Sequence, residues 1–153
     1  LIPTEGSELS EQAENYAVSL AKAVSAKVTA ITVSAPFHIF AVEPNMVTDT
    51  LESYMARMRT VAAKRLSYVK DAAAAAGVDC DVVHAQHEHP YQAIIDTAIT
   101  RGCDLIVMAS HGRRGISAVV LGSETVKVLT HSTIPVLVYR GSRSKLSPYF
   151  AAS

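Results

Sequence analysis

The chain has 153 residues, 49% of them hydrophobic and 18% charged, which excludes intrinsic disorder and suits one domain with a full apolar core. Lysine plus arginine and aspartate plus glutamate are both 14, giving a formal net charge of +0. That balance argues against broad electrostatic capture of nucleic acid or of an anionic membrane, so any anion site must be local.

No apolar run approaches a membrane span and no leader pattern opens the chain. Leu1 already reads as strand, which implies that residues precede it. Cys80 and Cys103 match no metal or redox spacing and read as reduced core-edge residues of a cytoplasmic protein. Leu1 and Ile2 close a first strand, stopped by Pro3 and the turn Thr4-Glu5-Gly6-Ser7. A helix follows, with Ala13, Tyr16, Ala17, Leu20 and Val24 spaced as one inward stripe. The β-branched run 28–33 predicts the second strand. Residues 34–47 combine Phe37, Ile39, Phe40 and Val42 with Pro36 and Pro44. Such a segment either folds back onto the domain or forms a lid or partner surface, and both readings stand.

Thr48 or Asp49 is expected to cap a long helix running to about Ala76 and stopped by Gly77. Its predicted stripe is Leu51, Met55, Met58, Ala62, Leu66, Val69 and Ala73. Val82 and Val83 mark the third strand. Pro90 suits the first turn of a third helix with Ile94, Ile95, Ala98 and Ile99 inward and Gly102 as its stop. The unbroken run Leu105-Ile106-Val107-Met108 reads as a central strand covered on both faces. A glycine-containing loop with Arg113 and Arg114 leads to a fourth helix starting at Gly122-Ser123, and 134–138 makes the last strand. The domain is expected over 1–140, with 141–153 as a polar tail, loose or docked on a neighbour.

This alternation implies an α/β domain, a five-stranded parallel open sheet with helices on both faces. Ligands of such sheets bind beyond the carboxyl ends of the strands. The loops 3–7 and 109–112 both lie at such ends and meet if strands one and four are neighbours. Backbone N–H groups, hydroxyls and the positive end of the fourth helix then converge on one spot, which suits phosphate. There is no P-loop, no G-x-G-x-x-G after the first strand and no G-x-S-x-G elbow. Ser110 and His111 are adjacent, and on extended backbone their side chains are expected to point apart, which argues against a hydrolase.

The sequence carries Ser110-His111-Gly112, then nine residues from Arg113 to Leu121, then Gly122-Ser123. With the LIPTEGSE opening, the DLIVMASHGRRG and LGSET stretches and the closing IPVLVYR, this resembles the universal stress proteins over nearly the whole chain. Their nucleotide-binding members carry G-x-x-G, nine residues, then G-[ST]. Two positions depart: Ala109 stands for the first glycine, and Glu5 for the usual aspartate.

The resemblance implies a Rossmann-like, adenine nucleotide α-hydrolase-like fold of strand order 3-2-1-4-5. It implies a site for ATP, or for AMP or ADP, with magnesium. Pro3, Thr4 and Glu5 would form one wall, Val33 would lie against adenine, and Met108 and Ala109 would line the floor. Gly112, Gly122, Ser123, Glu124 and Thr125 would cradle the phosphates, with Arg113 or Arg114 in reach. It also implies a homodimer through Val136, Leu137 and Val138, with no nucleic acid or membrane partner, acting as a stress-response or regulatory module.

The alternatives are an ATPase or nucleotide-transferring enzyme of the same architecture, or an interaction module that binds no nucleotide. No general base faces the expected phosphates, so at most slow ATP hydrolysis is expected and no catalytic residue is assigned. His84, His87 and His89 are expected between the third strand and third helix, where they read as turn and cap chemistry, since their spacing fits no metal site.

Overall fold

The computed structural model describes residues 1–37, 50–111 and 121–141. Most of the apolar segment 34–47, together with Thr48, Asp49, Gly112, Arg113, Arg114 and nearly all of the tail, therefore lies outside the described residues. The elements run β1 (Ile2–Pro3), α1 (Glu8–Ala23), β2 (Val28–Ser34), α2 (Leu51–Ala76), β3 (Cys80–Gln86), α3 (Pro90–Thr100), β4 (Ile106–Ala109), α4 (Ser123–His131) and β5 (Val136–Tyr139).

The helix ends follow from local chemistry. Ser7 caps α1, its side chain accepting from the Ser10 N–H, with Glu8 and Glu11 in the positive first turn and Lys22 in the last. α2 is capped by Thr50, not by Thr48 or Asp49; Thr50 and Ser53 close a reciprocal capping box. Gly77 ends α2 in the left-handed region at φ 71°, where a side chain would be strained. Pro90 occupies the first turn of α3, where its missing N–H costs no bond.

Two inward stripes are rotated from expectation. In α1 the buried residues are Ser10, Ala13, Glu14, Ala17, Val18 and Ala21, while Tyr16 is 44% exposed and Val24 is exposed. Alanines let the helix lie close to the sheet, and the Ser10–Glu14 pair takes two stripe positions by bonding to itself. Tyr16 sits on the flank, 5.4 Å from the Tyr139 ring. In α3 the apolar run is wider than the buried face, so Ala93 is buried and Ile99 is 57% exposed. α2 keeps Ala62, Leu66, Val69 and Ala73 inward, but Leu51 is exposed.

All described strand pairs are parallel: β1-β2-β3 in one sheet, β4-β5 in another. The two abut at β1 and β4, where Leu1 N donates to Leu105 O at 2.6 Å and Val107 N to Leu1 O at 2.9 Å. Helices cover both faces. α1 and α2 pack Val18, Leu66 and Val69 against Ile2, Ala30 and Val107. α3 and α4 pack Ile94, Ile95 and Val128 against Ile31, Ile106 and Met108.

Candidate functional site

The site is built where β1 and β4 end. After β1, Thr4 continues the pairing through its N–H to Ile31 O at 2.8 Å. The loop then turns through Gly6 at φ 72° into α1. Glu5 N–H donates to Ser10 Oγ at 3.4 Å, and Ser10 Oγ donates to Glu14 Oε1 at 2.7 Å. Glu14 is 1% exposed and its Oε2 has no hydrogen-bond partner. Burial pushes its pKa above 4.5, and the charges of Glu11 and Glu5 push the same way. Ser10 opposes that shift, as does the Thr4 hydroxyl, which lies beside the carboxyl without forming a bond of standard geometry. A buried carboxyl with a raised pKa thus braces the Thr4–Glu5 turn from beneath. Its sequence signal was the Ser10–Glu14 pair, four apart, on an alanine-lined helix face.

After β4, the chain is fixed by Ser110 N–H to Tyr139 O at 2.8 Å. Ser110 Oγ and His111 Nδ1 lie 3.1 Å apart, so these adjacent side chains meet rather than diverge, because the strand has ended at Ala109. Ser110 is 3% exposed, and its contact with His111 fastens the chain after β4.

Gly122 N–H donates to Ser110 O at 2.8 Å. A Cβ on Gly122 would meet His111 Cα at 3.1 Å and His111 Cβ at 3.4 Å. With φ at −63°, Gly122 is required for this close approach and not for its backbone angles. It is the N-cap of α4 and supplies no side-chain cap. The first amides of α4, those of Ser123, Glu124 and Thr125, therefore precede the first helical bond, Val126 N to Gly122 O at 3.0 Å. That end is a donor surface with positive potential.

The expected residues divide by placement. Pro3 ends β1, Thr4 and Glu5 lie on the loop after it, Ala109 at the end of β4, and Gly122 and Ser123 at the α4 start. Thr125 is buried, its Oγ1 donating to Ala109 O at 3.0 Å, which binds helix to strand end. Glu124 directs its carboxylate to α3, accepting from Tyr91 N–H at 2.9 Å, and to Lys127 at 3.0 Å. Its side chain caps α3 across space, leaving its own N–H as its contribution to α4's open end. Met108 is buried in the α3/α4 core, and Val33 packs on the same cluster. Gly112 and Arg113 lie outside the described residues. Of the histidines, His84 stands inside β3, not after it, 2.8 Å from Ser34 Oγ.

A model of the Universal stress protein family matches residues 1–140. The universal stress protein YxiE of Bacillus subtilis is 31% identical over 144 residues, covering 92% of this chain and 97% of that protein. Among solved structures, protein MJ0577 of Methanocaldococcus jannaschii superposes with a TM-score of 0.74 at 25% identity, covering 90% of this chain and 91% of that one. A universal stress protein in complex with cAMP superposes with a TM-score of 0.65 at 25% identity, covering 92% of this chain and 94% of the other. With its α/β layers, the facing loops of β1 and β4 and this match across 1–140, the chain belongs to the universal stress protein family.

Proposed function

We propose that this protein binds an adenine nucleotide, ATP foremost, across the β1 loop and the α4 N-terminus, and serves as a dimeric, non-enzymatic regulatory module of the cytoplasm. The observation that carries the reading is the open α4 N-terminus, held against Ser110 and His111 by a glycine that no larger residue can replace without displacing backbone. The cAMP complex of a 25% identical family member supports it.

In this reading the phosphates meet the amides of Ser123, Glu124 and Thr125 and the Ser123 hydroxyl, with Gly112 and Arg113 contributing from the intervening loop. Pro3, Thr4 and Glu5 form the opposite wall. Val33 lies against the adenine, and Met108 and Ala109 support the floor. Among the described residues no group of three or more His, Cys, Asp or Glu can hold a metal, so magnesium enters as the partner of the phosphates. β5 pairs with β4 on one side, and its half-buried Val136, Leu137 and Val138 offer the other edge to a second copy.

Calorimetry on nucleotide-stripped protein with ATP, ADP and AMP tests the reading. Binding to wild type and its loss in Ser123→Glu, with the far-UV spectrum and melting curve retained, support it. Absence of binding to the wild type sinks it. Turnover at about 1 per second or more would make the protein an enzyme instead. Sedimentation equilibrium with Leu137→Asp tests the dimer, which should dissociate.

A further inference from the structure

α2 and β3 enclose an open groove of about 470 Å³ that shares no residue with the site at the ends of β1 and β4. Its floor is apolar, formed by Ala62, Leu66 and Val82, and its rim carries Arg59, Lys70 and His84. Among the described residues that line it, none is acidic. Burial lowers the pKa of His84, and Arg59 and Arg65 nearby lower it further, so the rim's charge comes from Arg59 and Lys70. Both are exposed, and neither has an acidic partner among the described residues. In a chain of net charge +0, this is a local excess of positive charge over apolar surface.

β3 forms one wall of this groove, and it is an edge strand. It pairs with β2 in unbroken parallel register from Cys80 to Gln86, and no other strand pairs with it among the described residues. β3 contains no proline and no bulge, and Asp81 is its one carboxylate. Val82, in its middle, is 40% exposed. Along β3, Cys80, Val82, His84 and Gln86 face α2, while Asp81 faces the opposite layer, by strand alternation.

We propose that the free edge of β3 accepts an extended acidic segment of a partner protein as an added strand, with its apolar side chain over Val82 and its carboxylates against Arg59 and Lys70. The spacing defines the motif. Arg59 and Lys70 are eleven positions apart on α2, about 16 Å along the axis. Residues four apart on one face of a strand are about 13 Å apart, which two glutamate side chains extend to the required span. The segment reads acid, any, apolar, any, acid. A second copy of this chain would bring Arg59 and Lys70 against their own equivalents or against their own edge, so charge disfavours self-pairing.

The test uses a rhodamine-labelled peptide with the core Glu-Thr-Val-Thr-Glu flanked by threonines, its counterpart with lysine for glutamate, and a version N-methylated at alternate residues. Anisotropy and amide chemical shifts are read on the full chain. The acidic peptide should bind, with shifts concentrated in β3 and α2. Arg59→Glu/Lys70→Glu should weaken it by about tenfold or more and give the lysine peptide the affinity the acidic one has lost. N-methylation, which blocks the ladder without altering the protein, should abolish binding. Equal binding of acidic and basic peptides, retained binding of the N-methylated one, or shifts elsewhere overturn the proposal. So does self-association that the same double reversal abolishes, or saturation of the groove by a fatty carboxylate with no response to the peptide.

Discussion

Ser123→Glu separates a nucleotide site from a merely well-made helix start. Ser123 is exposed at the first position of α4, where Gly122 supplies no side-chain cap and the amides of Ser123, Glu124 and Thr125 precede the first helical bond. A carboxylate at that end is favourable to the helix alone, by about 0.3–1 kcal/mol through the macrodipole. Toward a bound phosphate it is repulsive. Two unit charges at 4 Å in a surface-like dielectric of 20 interact by about 4 kcal/mol, and at 8 Å by half that. Glu124 does not already impose this penalty, because its carboxylate is turned to Tyr91 N–H and Lys127. The expected outcome is a melting temperature unchanged or raised by a degree or two, with ATP affinity down by about 100-fold in calorimetry. Ser123→Gln, equal in size but uncharged, should stay within about tenfold of wild type. If Ser123→Glu binds ATP within about threefold of wild type, the phosphates do not lie at α4 and the reading fails.

Glu14→Gln should remove a pH dependence. A carboxyl whose folded pKa is raised stabilises fully below its unfolded value and loses that contribution as pH rises through the folded value. Wild type should therefore lose stability to urea above pH 4.5, and the variant should show a flatter profile and greater stability at neutral pH. Ile106→Ala empties a fully buried position in β4 between α3 and α4 and should cost about 2–5 kcal/mol in urea denaturation. Glu124→Ala removes a charge-assisted cap from α3 and should cost about 1–2 kcal/mol, with protection against amide exchange lost first at Tyr91.

The layer order was legible because each element carries its own period. The unbroken apolar run at 105–108 needs cover on both faces, and both core clusters do contact β4 through Val107 on one side and Ile106 and Met108 on the other. Helix orientation was less legible. An apolarity count favours Tyr16 and Val24, but packing distance decides, and the alanines with the hydrogen-bonded Ser10–Glu14 pair win the inward face of α1. The long α2 was read with the wrong cap because Thr48, Asp49 and Thr50 are all competent by residue type. Thr50 has Ser53 positioned to return the bond.

At the candidate site, the glycine at 122 was legible as a motif position, though its reason was not. Only coordinates show that the limit is His111 Cα at 3.1 Å. Glu124 and Thr125 belong to the same motif stretch yet use their side chains on α3 and on Ala109 O. Their side chains hold the helix start in place, and their amides face its open end. That distinction depends on side-chain direction, which spacing along a chain does not encode.

The seam between the two sheets gives the proposed ligand a mechanical role. β1-β2-β3 meets β4-β5 through the Leu1 hydrogen bonds to Leu105 and Val107 and through the packing of Ile2 and Ala30 with Val107. The proposed site crosses that same junction, with its walls on the β1 loop and its donors on α4. A nucleotide held by both sides would resist their separation, a contribution that no contact within either sheet supplies. At a concentration about 100 times its Kd it stabilises the native state by about 2.7 kcal/mol, which for a domain of this size raises the melting temperature by roughly 5–11 °C. Val107 N–H, bonded to Leu1 O across the seam at 2.9 Å, is the local reporter. If opening at the seam governs its exchange, ATP should slow Val107 exchange more than that of Val28, whose N–H bonds Asp79 O beside β3. Equal slowing at both would mean that the ligand stabilises the domain only globally and that the seam is not where it acts.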